Sequence, residues 1–273
     1  MSGIRRTERK AELSPEKKTV LVTGSTSGIG LGMLEAFGAG GCNLIMNGFG
    51  QQAEIKRLQD DLKSRFGVPV VYSAADMAKP EEIRQMVMDA EKSFGSVDIL
   101  VNNAGIQNVQ PIDEFADSKW NDIIAINLSA GFHTIKAVAP AMKKKRWGRI
   151  INIASVHGLV ASKFKCAYIA AKHGLVGLTK AAALDLADFG ITVNAICPGY
   201  VDTPLVRGQI PQQMKEHGLS EQDVIEKVML KNHAIKRFVD VKDLAAMAVF
   251  LSSDAAVAMT GQALTIDGGW TAQ

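Results

Sequence analysis

Seven short apolar runs recur along the chain: TVLVT (19–23), NLIM (43–46), VPVVYS (68–73), VDILVN (97–102), GRIINIAS (148–155), ITVNAI (191–196) and ALTID (263–267). They are rich in β-forming residues and continuous rather than alternating in polarity. That pattern suits parallel strands buried on both faces, since a strand with one wet face would alternate. Amphipathic stretches such as EEIRQMVMDAEKSF (81–94) and the segment 119–145 lie between them. Repeated βα units of this kind make a doubly wound α/β sheet with right-handed crossovers. At 273 residues, with 47% hydrophobic and 22% charged residues, one large domain with a full core is expected.

Two segments depart from the rhythm. Residues 200–237 carry short helical pieces and no strand, and follow directly on a strand end, so they are expected to form a helical lid over a site. Residues 1–17 are polar, with Arg5, Arg6, Arg9 and Lys10 but also Glu8, Glu12 and Glu16. That is too acidic for a transit peptide, and a flexible tail before a domain at 18–273 is expected.

Composition also argues against several partners. A net charge of +3 gives no ground for a nucleic-acid partner. The one dense basic run, Lys143–Arg146, reads as a solvated helix C-terminus, where cations suit the dipole. No apolar run approaches the ~20 residues that cross a bilayer, so no membrane partner is expected. Cys42, Cys166 and Cys197 stand far apart without metal-ligand spacing, which fits reduced thiols in a cytoplasmic protein and no bound metal.

The first strand runs into TGSTSGIG (23–30), which opens the first helix. Gly24, Gly28 and Gly30 let the backbone turn tightly and approach a pyrophosphate at a helix N-terminus. The second strand ends NLIMNGFGQ, with neither an acid for ribose hydroxyls nor a cation for a 2′-phosphate. A phosphorylated ribose there would lose hydration without gaining a partner, which favours NAD over NADP. Phe49 can crowd the same position. Asp76 ends the third strand, as an acceptor for an adenine amino group or as a turn former before a helix. Asn102-Asn103-Ala104-Gly105 ends the fourth, where ligands gather in open α/β sheets.

Tyr168 and Lys172 stand four apart on one helix face, thirteen residues and more after Ser155. Hydride transfer from an alcohol needs a base for the hydroxyl proton, and the reverse needs an acid. A free phenol, with a pKa of about 10, is a poor base at neutral pH. A neighbouring lysine cation is expected to lower it. Ser155 can hydrogen-bond the substrate oxygen.

TGSTSGIG, NNAG, Asn127, Ser155, YIAAK and PGYVDTP together resemble the short-chain dehydrogenase/reductase family over about residues 18–270. The resemblance implies a single-domain Rossmann fold with a seven-stranded parallel sheet, assembled as a homotetramer or dimer. It implies Asn127, Ser155, Tyr168 and Lys172 as catalytic residues, with Lys172 also on the nicotinamide ribose and Asn127 in a proton relay. It places the cofactor on Gly24, Thr26, Ser27, Gly28, Ile29, Gly30, Phe49 and Asp76. Further contacts are expected from Asn103, Ala104, Gly105, Tyr168, Lys172, Pro198, Gly199, Val201 and Thr203.

His157 and Lys165 crowd the Ser155–Tyr168 segment, Gln107 follows NNAG, Gln209 lies in the expected lid, and Trp270 is near the C-terminus. A cation, an imidazole and two amides around a reacting hydroxyl suit a small carboxylate substrate. Taken singly, each also reads as a solvated or structural side chain. Together, AGIQ, ASVHGLVASKFKCAY, TPLVRGQI and DGGWTA resemble the bacterial-type D-3-hydroxybutyrate dehydrogenases. That likeness implies NAD-dependent oxidation to acetoacetate, with Gln107, His157, Lys165 and Gln209 on the carboxylate and Trp270 lining the pocket. Cys166, Tyr200 and Asn108 depart from that subfamily's pattern. Tyr200 and Asn108 bear on the chain length of the acid. Two rival readings stay open: a dehydrogenase of the same fold for a polyol, sugar or acyl thioester, and a nucleotide sensor without turnover.

Overall fold

The computed structural model describes residues 17–272, the side chain of residue 205 excepted. The expected tail at 1–17 lies, Lys17 apart, outside the described residues. The seven apolar runs become β1 (Thr19–Val22), β2 (Asn43–Asn47), β3 (Val70–Ser73), β4 (Ile99–Asn102), β5 (Gly148–Ile153), β6 (Ile191–Pro198) and β7 (Ala263–Ile266). They form one sheet in the order β3-β2-β1-β4-β5-β6-β7, every pair parallel. Every residue of β1, β4, β5 and β6 is buried, which is why these runs carry no polar alternation. Side chains still alternate between the two faces. Val20 and Val22 enter one hydrophobic cluster, Leu21 the other.

Helices cover both faces. On one side α1 (Gly28–Ala39) packs beside α10 (Val241–Ser252), with α2 (Gln52–Phe66) next to them. On the other lie α3 (Pro80–Phe94), α5 (Ala130–Lys145) and α6 (Cys166–Leu186). Helix α3 shows how local sequence sets the ends. Pro80 stands in its first turn with Glu81 and Glu82, Lys92 in its last, and Gly95 follows in a positive-φ conformation.

The long 119–145 stretch divides into α4 (Asp117–Ile124), a π-helical turn (Ala125–Ser129) and α5. Read as one helix of 29 residues, it is long and apolar enough to cross a membrane by length and composition. This differs from the reading of the sequence, which found no such run. Its apolar stripe, Ile123, Ala130, Ile135, Val138 and Met142, is buried in the protein's own core. The Lys143–Arg146 run ends α5 as expected, with Arg146 left-handed at φ 53°. It is not wholly solvated, because Lys145 pairs with the buried Asp98 at 2.7 Å.

The 200–237 segment holds α7 (Pro204–Arg207), α8 (Ile210–His217), α9 (Glu221–Asp223) and a π-helical turn (Val224–Met229). Ile210, Val224 and Met229 give it a small core of its own. A parallel bridge between Val201 and Val239 closes its base. The strand order reverses between β1 and β4, which opens a crevice at their C-terminal ends.

Candidate active site

A cavity of about 500 Å³ occupies that crevice. One end is built by the glycine loop. Gly24 and Gly28 sit at φ 62° and 54°, a conformation side chains rarely adopt. A Cβ on Gly30 would lie 2.3 Å from the Gly24 carbonyl oxygen and 2.5 Å from Asn103 Nδ2, so no other residue fits. Ser27 precedes α1 without a side-chain cap, leaving the helix's first N–H groups for a ligand. Asn103 ties this loop to β4 through hydrogen bonds to the Thr23 and Gly24 carbonyls, both 2.9 Å. The donors, the dipole and the missing side chains fit a pyrophosphate.

Thr26, Ser27, Gly28, Ile29, Phe49, Asp76, Asn103, Ala104 and Gly105 all line this part of the cavity. Pro198, Gly199, Val201 and Thr203 line it from the end of β6 and the segment beyond. Asp76 serves as the turn former too, its Oδ1 accepting from Ala78 N–H at 2.9 Å. Asn47, which the sequence reading passed over, binds three strand ends together. Its Oδ1 accepts from Gly24 N–H, and its Nδ2 donates to the Ser73 and Ala75 carbonyls.

The other end gathers Gln107, Ser155, His157, Lys165, Tyr168 and Lys172, with Gln209 and Trp270 from distant parts of the chain. Of the expected site residues, Gly30 and Asn127 do not reach the cavity surface. Gly30 acts by its missing side chain. Asn127 lies in the π-helical turn, and its carboxamide closes on the Ile106 loop by accepting from Ile106 N–H and donating to its carbonyl, both 2.9 Å.

Helix α6 presents Tyr168 and Lys172 on one face, the Lys172 Nζ 5.6 Å from the Tyr168 ring. Lys172 donates to the Ile153 carbonyl at 2.8 Å. A buried chain of hydrogen bonds fixes α6 against the sheet. The Thr134 hydroxyl donates to Asn102, Asn102 to Asn152, and Asn152 to Thr179 on α6, at 2.7, 2.9 and 2.8 Å. Burial pushes the Lys172 pKa down to about 8.

Burial also pushes the Tyr168 phenol up, while a hydrogen bond from Ser155 pulls it down. This reverses the sequence expectation of a phenol lowered by its lysine. Desolvation is the larger of these two influences on the phenol. The Tyr168 phenol is therefore neutral at neutral pH.

His157 is buried, meets the Tyr168 ring edge-on at 6.0 Å and the Trp270 ring at 5.3 Å, and pairs through Nε2 with the Ser162 hydroxyl at 2.9 Å. Burial, then the Lys165 charge, holds it at about 4, so the imidazole is neutral. Lys165 is half-buried and its pKa is lowered by desolvation. Its Nζ stands 5.9 Å from the Tyr200 ring, which stacks on Trp270 at 6.2 Å. It has no carboxylate partner among the described residues. Tyr200 lines the pocket, whereas Asn108 and Cys166 do not, and Asn108 turns to Gln110 at 3.3 Å. Of the departures noted in the sequence, only Tyr200 lines the cavity.

The family described as short chain dehydrogenase matches residues 18–214. The chain belongs to this family. It is 52% identical over 256 residues to a D-beta-hydroxybutyrate dehydrogenase of Rhizobium meliloti (strain 1021), covering 94% of this chain and 99% of that protein. It is 50% identical, at 94% and 98% coverage, to a protein of the same name from Cupriavidus necator. Among solved structures it resembles L-sorbose reductase from Gluconobacter frateurii, complexed with NADPH and L-sorbose. There the TM-score is 0.89 at 32% identity, over 94% of this chain and 98% of that one. Membership makes the chain an oxidoreductase that uses a nicotinamide cofactor and a small-molecule substrate.

Proposed function

We propose that the chain catalyses the reversible, NAD-dependent oxidation of D-3-hydroxybutyrate to acetoacetate. The observation that carries this reading is Lys165, a half-buried cation with no carboxylate partner among the described residues, set in the same cavity as Tyr168. Gln107, His157 and Gln209 stand around it as neutral partners. A small carboxylate supplies the missing charge and accepts the converging donors. The identity to relatives named for this substrate supports the same reading.

The bound nicotinamide supplies the hydride acceptor in oxidation and the donor in reduction. In oxidation Tyr168, as phenolate, takes the substrate's hydroxyl proton as the C–H hydride leaves. In reduction the neutral phenol returns that proton to the carbonyl oxygen. Ser155 hydrogen-bonds the same oxygen, and the Lys172 cation steadies the phenolate. Asn127, its carboxamide held by Ile106, would take part in a proton relay.

The cofactor end of the cavity supports NAD rather than NADP. Asn47, Gly48 and Phe49 line it where β2 ends, Asp76 stands near, and among the described residues no cation lines that end for a 2′-phosphate. Segment 200–237 acts as a lid, since Tyr200, Thr203, Val206 and Gln209 wall the cavity. A cytoplasmic homotetramer completes the reading. Exposed Trp120, Phe132 and Leu184 on α4–α6, and Phe250 and Val257 near the half-exposed edge strand β7, support assembly, and the free cysteines suit a reducing compartment. Light scattering on the purified protein tests the tetramer.

The deciding experiment follows NADH absorbance with NAD and each enantiomer of 3-hydroxybutyrate. A rise with the D form alone is expected. Silence with both, alongside turnover of a polyol or acyl thioester, would overturn the substrate. Tight NAD binding without turnover of any alcohol would favour a sensor.

A further inference from the structure

His233 does not line the cavity, yet three separate parts of the chain close on it. It is 1% exposed. Its Nε2 accepts a hydrogen bond from Tyr200 N–H at 3.4 Å, where β6 gives way to the 200–237 segment. A Cβ on Gly199 would lie 2.6 Å from that Nε2, and one on Gly268 would lie 2.9 Å from the ring's Cδ2. Both glycines thus leave the space that the imidazole fills. Just after His233, the N–H groups of Ala234 and Ile235 donate to the Gly268 carbonyl at 2.8 and 2.9 Å. The root of the segment, its exit and the C-terminal turn are joined at this ring.

The ring also backs the substrate wall. It lies 6.0 Å from the Tyr200 ring and 5.4 Å from the Trp270 ring. Tyr200 and Trp270 stack on each other, Trp270 meets His157, and Tyr200 faces the Lys165 ammonium. A contact chain of aromatic rings therefore leads from His233 to His157 and Lys165, two of the four residues assigned to the carboxylate.

A neutral imidazole that accepts at Nε2 carries its proton on Nδ1. That buried Nδ1 has no hydrogen-bond partner among the described residues. Leaving it unpaired costs free energy, and an aliphatic side chain of similar volume would avoid the cost. What such a side chain would lose is the acceptor for Tyr200 N–H. A local cost of this kind next to a functional site fits a residue kept for position rather than stability.

We infer that His233 is a positioning residue for the acid-binding wall, setting Tyr200 and Trp270 and through them Lys165 and His157, without touching substrate or cofactor. The inference rests on the proposed reading of the pocket. It is tested with His233→Leu and His233→Gln. His233→Leu should raise KM for D-3-hydroxybutyrate about tenfold, roughly one hydrogen bond's worth, with kcat and KM for NAD within about threefold of wild type. His233→Gln can offer an amide oxygen to Tyr200 N–H and should restore most of the loss.

Near-ultraviolet circular dichroism of the free protein supplies a readout that needs no substrate. His233→Leu should change the aromatic bands, and the change should vanish in a Trp270→Phe background. If the wild type fails to oxidise the acid, the proposed function falls while the dichroism still judges His233. Wild-type KM and bands in His233→Leu would overturn the inference. So would equal rises in both KM values, or failure of Gln to restore. Should the Leu variant not fold, His233→Asn replaces it. Asn is too short to reach the amide, so it should raise KM where Gln does not, and equal behaviour of the two would overturn the inference.

Discussion

Replacing Lys165 with Met removes one charge and keeps a side chain of similar length. In the structure that charge is half-buried, desolvated and without a carboxylate partner among the described residues. A hydrogen bond to a charged group contributes about 1.5–3 kcal/mol, which at about 1.4 kcal/mol per tenfold is a 10- to 150-fold change in binding. Lys165→Met should therefore lower kcat/KM for D-3-hydroxybutyrate by about that factor, mostly through KM. The assay is NADH production with the acid and, in parallel, with its neutral methyl ester. The ester has no charge to lose, so its kcat/KM should change by less than about threefold. Thermal stability should hold or rise slightly, because the substitution removes an unpaired, partly buried cation. An equal loss on acid and ester would refute the reasoning, and so would an unchanged KM for the acid. The pH dependence carries the same sign. Burial lowers the Lys165 pKa, so affinity for the acid should fall as alkaline pH removes that proton.

Three further outcomes follow from the same geometry. Tyr168→Phe should abolish turnover while NADH still binds, read by quenching of protein fluorescence; measurable turnover would remove Tyr168 as the acid/base. Because burial raises the phenol's pKa, oxidation should accelerate from neutral to alkaline pH and reduction should slow over the same range; two flat profiles would count against the assignment unless a non-chemical step limits the rate. His157 is held at about 4 against 6.5 when unfolded, so the folded state binds fewer protons between those values and loses stability as pH falls through that window. The full loss is about 3 kcal/mol. Urea unfolding of His157→Gln should show a correspondingly flatter acid limb, and parallel curves for the two proteins would reject the cause.

The strands could be read from the chain because their side chains are buried on both faces and so are continuously apolar. Boundaries moved by one or two residues. The GRIINIAS run stops at Ile153, and ITVNAI runs on to Pro198. These shifts arise where hydrogen bonding to a neighbour, not composition, ends a strand. Ser155, Tyr168 and Lys172 were legible because they belong to one strand–helix unit. Their spacing alone puts Tyr168 and Lys172 on one face of α6. Asn47 and His233 were not legible. Each works by gluing together segments that are distant in sequence, and a lone polar residue carries no mark of that.

By itself the sequence determined the doubly wound layers, the glycine loop and the Tyr168–Lys172 pair, all of which depend on contacts within a few residues. The tertiary structure decided what surrounds them. Gln107, Lys165, Gln209 and Trp270 meet only because the sheet order and the 200–237 segment bring four stretches of chain to one crevice. It also decided the direction of the Tyr168 pKa. A neighbouring lysine can be read from spacing, but the desolvation that raises the phenol comes from segments distant in sequence that pack around it.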